Sequence, residues 1–171
     1  MSYFNIIAQS SESTVVTEYK PQAKRSEAYQ SEADLEQEFI RLLCELGYER
    51  LTIHKEADLI ANLRTQLEKL NNYRFTDDEW KRFWDEVLAN TNSGILEKTR
   101  LIQEDYVQVL RRDNGESKNI QLIDKKCIHN NSLQVINQYA ISTEEGAAHD
   151  NRYDVTVLVN GLPLIHIELK R

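Results

Sequence analysis

A mixed α/β domain is the fold class this chain predicts, and three observations predict it. Segments with apolar residues at three- and four-residue spacing fill the first half. Short runs rich in β-branched residues, broken by Asp-Asn-Gly and Asn-Gly turns, fill the second half. The length of 171 residues, 40% of them hydrophobic, suffices for one sizeable core. The expected architecture is a mixed central β-sheet flanked by helices. Residues 31–171 form the domain and residues 1–30 an N-terminal arm, loosely docked or mobile.

The arm is polar, with one β-prone stretch, Ser13 to Thr17, ended by Pro21. Ser31 to Leu46 reads as a helix because Ser31 and Asp34 stand at capping-box spacing and Gly47 supplies a stop. Its expected inward stripe is Leu35, Phe39, Leu42, Leu43 and Leu46. A second helix is expected over 56–71, with Leu59, Leu63, Leu67 and Leu70 inward. A third begins at Thr76, three residues before Glu79, and carries Trp80, Phe83, Trp84, Val87 and Leu88. That spacing marks the tryptophans as core rather than a base-stacking platform. Residues 95–104 read as a further helix or helical turn. Strands are expected at 106–110 and 120–123 around Asp113-Asn114-Gly115, and at 133–139. The polar stretch 142–152 reads as a loop that borders whatever follows it.

Composition removes several functions. No run approaches the ~18 apolar residues of a membrane span, and the N-terminus has no signal-peptide pattern, so the expectation is a cytoplasmic protein with no membrane partner. Cys44 and Cys127 are too few for a disulfide framework or a structural zinc site. A net charge of −7 opposes independent binding to a phosphate backbone. Arg111-Arg112, Lys125-Lys126 and Lys170-Arg171 are the local basic pairs that could still touch phosphates. The sequence holds no G-x-S-x-G, H-E-x-x-H or Gly-rich dinucleotide loop.

The chemistry concentrates between Tyr153 and Lys170. Val155–Val159 and Leu164–Leu169 are apolar strands joined through Asn160-Gly161, both of which tolerate positive φ. Asp154 precedes the first strand, and Glu168-Leu169-Lys170 ends the second. Alternation puts His166, Glu168 and Lys170 on one face. Two carboxylates and an ammonium from neighbouring strands are what cation-assisted phosphodiester hydrolysis needs. A strict two-residue turn would pair Asp154 with Ile167 and turn the carboxylates to opposite faces. Bringing Asp154 opposite Glu168 takes an odd-length connection or a bulge near residues 160–163, where Pro163 has no N–H to give. His166 reads as a hydrogen-bonded wall residue rather than a ligand, and His54, His129 and His149 lack metal-type spacing.

The string R-Y-D-V-T-V-L-V-N-G-L-P-L-I-H-I-E-L-K resembles the active-site core of the PD-(D/E)xK nucleases. More specifically, it resembles the N-terminal nuclease domain of type I restriction enzyme R (motor) subunits. Ser31-Glu32-Ala33-Asp34-Leu35-Glu36 and the Leu-Gly-Tyr-Glu at 46–49 are similar to that family's opening helix, while residues 50–130 match loosely. The resemblance implies a restriction-endonuclease-like fold and Mg²⁺-dependent endonucleolytic cleavage of double-stranded DNA. It implies Mg²⁺ held by Asp154, Glu168 and the backbone carbonyl of Leu169, with Lys170 orienting the attacking water. A further carboxylate from the first helix is implied, Glu36 or, one turn earlier, Glu32. The implied partners are specificity and modification (methyltransferase) subunits and the subunit's own helicase domains.

One departure is visible. The family carries Gln-x-x-x-Tyr beyond the lysine and then two helicase motor domains, whereas this sequence ends at Arg171 and contains no G-x-x-x-x-G-K-[ST] phosphate loop. The expectation is a sheet truncated after the Glu-x-Lys strand, from a larger subunit in which ATP is used elsewhere, and a fragment weak or inactive alone. Two other readings stay open: another PD-(D/E)xK enzyme such as a resolvase or repair nuclease, and a non-catalytic docking module with a nuclease-like fold.

Overall fold

The computed structural model describes residues 4–9, 15–19, 31–53, 55–91, 93–141 and 151–169. The chain divides into two compact units, Met1–Gln30 and Ser31–Arg171. In the first, β1 (Phe4–Gln9) pairs antiparallel with β2 (Val15–Tyr19), with an irregularity between Ile6 and Ala8. The sequence reading expected only one β-prone stretch here. An isolated β1 lacks alternation strong enough to announce itself, and pairing with β2 supplies what local pattern does not.

The second unit opens with α1 (Glu32–Glu45). Its capping box is complete: the Ser31 hydroxyl accepts the Asp34 N–H at 3.1 Å, and the Asp34 carboxylate accepts the Ser31 N–H at 3.1 Å. Gly47, at φ 96°, follows the helix end. The inward face differs from the expected stripe. Ile40 and Glu36 are buried and Phe39 and Leu43 pack beside them, while Leu42 and Leu46 are exposed. The helix is rotated because the carboxylate of Glu36 finds amide donors on the sheet, which makes its burial tolerable.

After α1 come β3 (Glu49–Arg50), α2 (Glu56–Asn71) and α3 (Asp77–Phe83). A π-helical turn (Trp84–Leu88) and α4 (Ile95–Gln103) follow. Then come β4 (Val107–Arg111), β5 (Ser117–Gln121), a 3₁₀ turn (Ile128–Asn130), β6 (Leu133–Ile141), β7 (Asn151–Val159) and β8 (Leu162–Ile167). The central sheet is four-stranded in the order β3-β6-β7-β8. β3 runs parallel to β6, and the other two pairings are antiparallel. The sheet is mixed because α2–α4 and the β4–β5 hairpin form the crossover between β3 and β6. Residues 107–121 make that separate two-stranded hairpin rather than joining the sheet.

Helices cover both faces of the sheet. Val135 and Val155 pack with Ile40 of α1, whereas Ile136 and Leu158 pack with Ile53 and Leu59 of α2. That is the period-two alternation of β6 and β7 expressed as two cores. A third core gathers Leu63, Leu67, Phe75, Trp80, Phe83, Leu110, Ile120, Leu122 and Leu162, tying α2, α3 and the hairpin to the start of β8. Trp80 is buried there and Trp84 packs against it, as their spacing predicts.

The buried Glu79 fastens α3 to the hairpin turn. It accepts from the Tyr73 hydroxyl at 2.7 Å, the Thr76 N–H at 3.1 Å and the Asp113 N–H at 3.2 Å. Burial pushes the Glu79 carboxyl up, but the Tyr73 hydroxyl and the two backbone donors outweigh it and hold it below its ordinary value. A carboxyl depressed in the folded state stabilises above its unfolded pKa and loses that contribution as pH falls through the folded value. We expect Glu79→Gln to flatten the acid limb of the stability curve below pH ~4, measured by urea midpoints across pH. An unchanged acid limb would remove Glu79 from that role.

Candidate active site

The hairpin β7–β8 carries the candidate residues, and its turn is built to order. Asn160 (φ 51°) and Gly161 (φ 82°) form a two-residue turn that pairs Val159 with Leu162. Asn160 is 1% exposed and acts as a clamp. Its N–H donates to the Ser132 carbonyl and its Oδ1 accepts the Ser132 N–H, each at 2.8 Å. Its Nδ2 donates to the Leu122 carbonyl at 3.0 Å and to Asn131 Oδ1 at 2.8 Å. At Gly161 a Cβ would lie 2.6 Å from Leu63 Cα, so the turn seats directly on α2. Gly161→Ala should therefore cost about 2 kcal/mol or more, read from chemical denaturation. A loss under ~0.5 kcal/mol would mean that the turn and α2 separate easily.

Beyond the turn, Leu158 pairs with Pro163 but Val157 pairs with Ile165. Leu164 is the extra residue of a β-bulge, one position past the expected 160–163 window. Pro163 cannot donate to the ladder, so the irregularity falls beside it. The consequence is the one the carboxylates require. Val155 pairs with Ile167, and continuing that register by one residue sets Asp154 opposite Glu168. Cross-strand neighbours on one face stand about 5 Å apart at Cβ. β8 itself ends at Ile167, and the Glu168–Leu169 segment is held by a different contact, the Leu169 N–H donating to Asp154 Oδ2 at 2.7 Å. β7 begins at Asn151, earlier than the loop expected to run to Arg152. The rest of that loop, residues 142–150, and Lys170 lie outside the described residues.

Glu36, on α1, is buried at 6% exposed, while Glu32 is exposed. Asn137 Nδ2 donates to Glu36 Oε1 at 2.9 Å and Gln138 Nε2 donates to Oε2 at 3.4 Å. Consecutive strand residues normally point to opposite faces. Gln138 has a left-handed backbone, φ 55°, which lets both amides reach one carboxylate. Gln138 falls between the Asn137↔Val155 and Tyr139↔Tyr153 pairs, directly across from Asp154. Neither Asn137 nor Gln138 was singled out from sequence. The only signal is a polar pair inside an otherwise apolar strand. Among the described residues no three His, Cys, Asp or Glu side chains are gathered as a metal-ligand cluster.

His166 pairs with Thr156, one pleat before the Asp154–Glu168 position. Its Nδ1 lies 3.0 Å from Thr156 Oγ1, and its ring stacks on Tyr153 with centroids 4.2 Å apart and planes at 18°. Burial lowers its pKa below the ordinary imidazole value. One member of each of two basic pairs is engaged internally. Arg112 contacts Glu116 at 2.7 Å and the Tyr73 hydroxyl at 3.2 Å, and Lys125 donates to the Gln103 carbonyl and sits 4.7 Å over the Tyr106 ring. Cys44 and Cys127 are free and exposed. An apolar cavity of about 260 Å³ lies at the turn end of β8, lined by Leu63, Trp84, Leu88, Leu122, Leu162 and Pro163 among others. No carboxylate lines it, which separates it from the chemistry at the other end of the strand.

As donors, two carboxylates on adjacent strands suit a hard divalent cation such as Mg²⁺, which keeps several waters and takes one or two protein carboxylates. Asp154 Oδ2 is already an acceptor for one backbone N–H, and a carboxylate has further lone pairs to give. The residues present fit such an ion.

The unit is thus a mixed α/β domain whose bulged hairpin carries Asp154 on one strand and Glu168 just past the other. The chain belongs to the type I restriction enzyme R protein N-terminus family, whose pattern it matches over residues 29–171. It is 45% identical over 166 residues to the type I restriction enzyme EcoprrI endonuclease subunit of Escherichia coli, covering 96% of this chain and 52% of that protein. It is 39% identical over 149 residues to the SauMSSORF170P endonuclease subunit of Staphylococcus aureus (strain MSSA476), covering 84% of this chain and 15% of that protein. A Staphylococcus saprophyticus endonuclease subunit, SsaAORF53P, is 36% identical over 148 residues. The chain spans about half the length of the first of these relatives and a smaller share of the others. Among the described residues no helix is long and apolar enough to cross a membrane.

Proposed function

We propose that Ser31–Arg171 is a restriction-endonuclease-like nuclease domain that cuts double-stranded DNA as part of a type I restriction endonuclease subunit in the cytoplasm. The observation that carries this reading is the bulge at Leu164, whose register, continued one residue past the end of β8, would set Asp154 opposite Glu168. Bulges are over-represented next to active sites, where they re-aim a side chain. Family membership supports the same reading.

In this proposal Asp154 and Glu168, with the Leu169 carbonyl, hold Mg²⁺, and the bound ion supplies charge neutralisation at the phosphate and a more acidic water. The Leu169 N–H fixes the Asp154 carboxylate, so one ligand is oriented before any ion binds. Lys170 follows Glu168 by two residues, orients the attacking water and offsets negative charge as the P–O bond to the leaving oxygen breaks. Glu36 accepts from Asn137 and Gln138 of β6 and keeps further lone pairs, so it remains the helix carboxylate of this proposal. ATP-driven translocation belongs to helicase domains elsewhere in the subunit, and site choice to specificity and modification subunits.

The test uses the complete subunit assembled with those partners. Lys170→Ala should abolish ATP-dependent cutting of closed circular plasmid while ATP turnover in the same tube persists. Cutting that survives the substitution would favour a docking module with a nuclease-like fold.

A further inference from the structure

We propose that His166 binds the DNA strand being cut, its Nε2–H donating to a non-bridging oxygen of a phosphate next to the scissile one. This inference rests on the nuclease reading above and adds a substrate contact to it. Three observations support it. The first is position. Val155↔Ile167 and Thr156↔His166 fix the register, so His166 lies one pleat from Glu168 on the same face of the hairpin. Two residues along a strand span about 6–7 Å, which is of the order of the spacing between successive phosphates on one DNA strand.

The second observation is that the imidazole is already held for such a contact. Thr156 is 0% exposed, and its Oγ1 is 3.0 Å from Nδ1. In this proposal the Thr156 hydroxyl is the donor to Nδ1, which puts the ring proton on Nε2. Tyr153 covers one ring face at 4.2 Å, and Tyr153 is the neighbour of Asp154 in the chain. The third is accessibility. His166 is exposed even though one of its nitrogens and one of its faces are fixed, and among the described residues no hydrogen bond reaches Nε2. A donor whose orientation is set before binding loses little freedom on meeting its acceptor. Arg112 and Lys125, by contrast, are occupied within the fold.

A packing role for the ring makes the opposite forecast from a donor role, which gives the experiment its power. His166→Gln keeps an N–H close to the Nε2 position but loses the aromatic stack on Tyr153. His166→Phe keeps the stack but has no N–H. Both would be assayed in the complete endonuclease assembly for plasmid cutting, with ATP turnover and melting temperature recorded beside Asp154→Asn. We expect His166→Phe to cut about 10–100-fold more slowly, the usual effect of losing one hydrogen bond to a charged group, and His166→Gln to stay within about threefold of wild type. Normal cutting by His166→Phe, or equal losses in the two variants, overturns the donor role. Should Asp154→Asn cut like wild type, the nuclease reading fails first, whatever His166 does.

Discussion

Asp154→Asn should leave the fold intact and stop DNA cutting. The substituted amide keeps a side-chain oxygen that can accept the Leu169 N–H, now made at 2.7 Å to Asp154 Oδ2. Burial around the position is unchanged, because Asn and Asp have nearly the same shape. Stability should therefore stay within about 1 kcal/mol of wild type. What is lost is the negative charge that would hold a divalent cation opposite Glu168. Removing an electrostatic element of that kind typically costs 10²–10³ in rate, about 3–4 kcal/mol. Plasmid cutting by the assembled enzyme should fall by at least ~10²-fold, with ATP turnover and melting temperature preserved. A variant that lost its fold as well as its activity would show that Asp154 is chiefly a strut for the Leu169 segment.

Asn160→Ala should be the most destabilising single change in the hairpin. The substitution removes three side-chain hydrogen bonds at a 1%-exposed position. It leaves the Ser132 N–H and the Leu122 carbonyl without the partners they have now, and it puts a Cβ-bearing residue with no side-chain compensation at φ 51°. Unsatisfied buried groups cost about 1–3 kcal/mol each, and partial relaxation brings the sum to about 2–4 kcal/mol. Asn160→Gly, which relieves the backbone and loses the same side-chain bonds, should recover part of this. The two urea midpoints together separate turn geometry from clamp. If Asn160→Ala cost under ~1 kcal/mol, the network would contribute little net stability, and the turn's placement would have to come from Gly161 and Leu63 alone.

Much of the fold could be read from local chemistry because local chemistry determines it. Both capping boxes, Ser31 with Asp34 and Thr76 with Glu79, are formed, and the helices begin where those pairs stand. Asn160-Gly161 makes the turn that its tolerance of positive φ predicts. What local pattern could not supply depends on partners distant in the chain. The α1 face turned towards Glu36 and Ile40 because Asn137 and Gln138, about a hundred residues on, offer amides to a carboxylate. β3 is two residues long and exists only by pairing with β6. The left-handed Gln138 has no glycine or asparagine to signal it.

The irregular register of the β7–β8 hairpin was more legible than its surroundings. Pairing Asp154 with Glu168 required an irregular register, and the bulge is there, displaced from the turn to Leu164. Its position follows from packing. The turn is pinned by Asn160 and by the close approach of Gly161 to Leu63, so the extra residue must go into the strand after Pro163. A hydrogen-bonded His166 matches the sequence expectation, but its partner Thr156 and the Tyr153 stack were not foreseen, since neither residue type carries a motif.

The central claim is that the Leu164 bulge makes one cation site from two strands, and the most direct test is Mn²⁺ binding to this chain followed by calorimetry or electron paramagnetic resonance. One site should be present in the wild type and weakened at least ~10-fold by Asp154→Ala and by Glu168→Ala alike, because each removes half of the same donor set. If Mn²⁺ binding were unchanged by either substitution, the two carboxylates would not share an ion, and the paired-carboxylate account of this hairpin would be wrong.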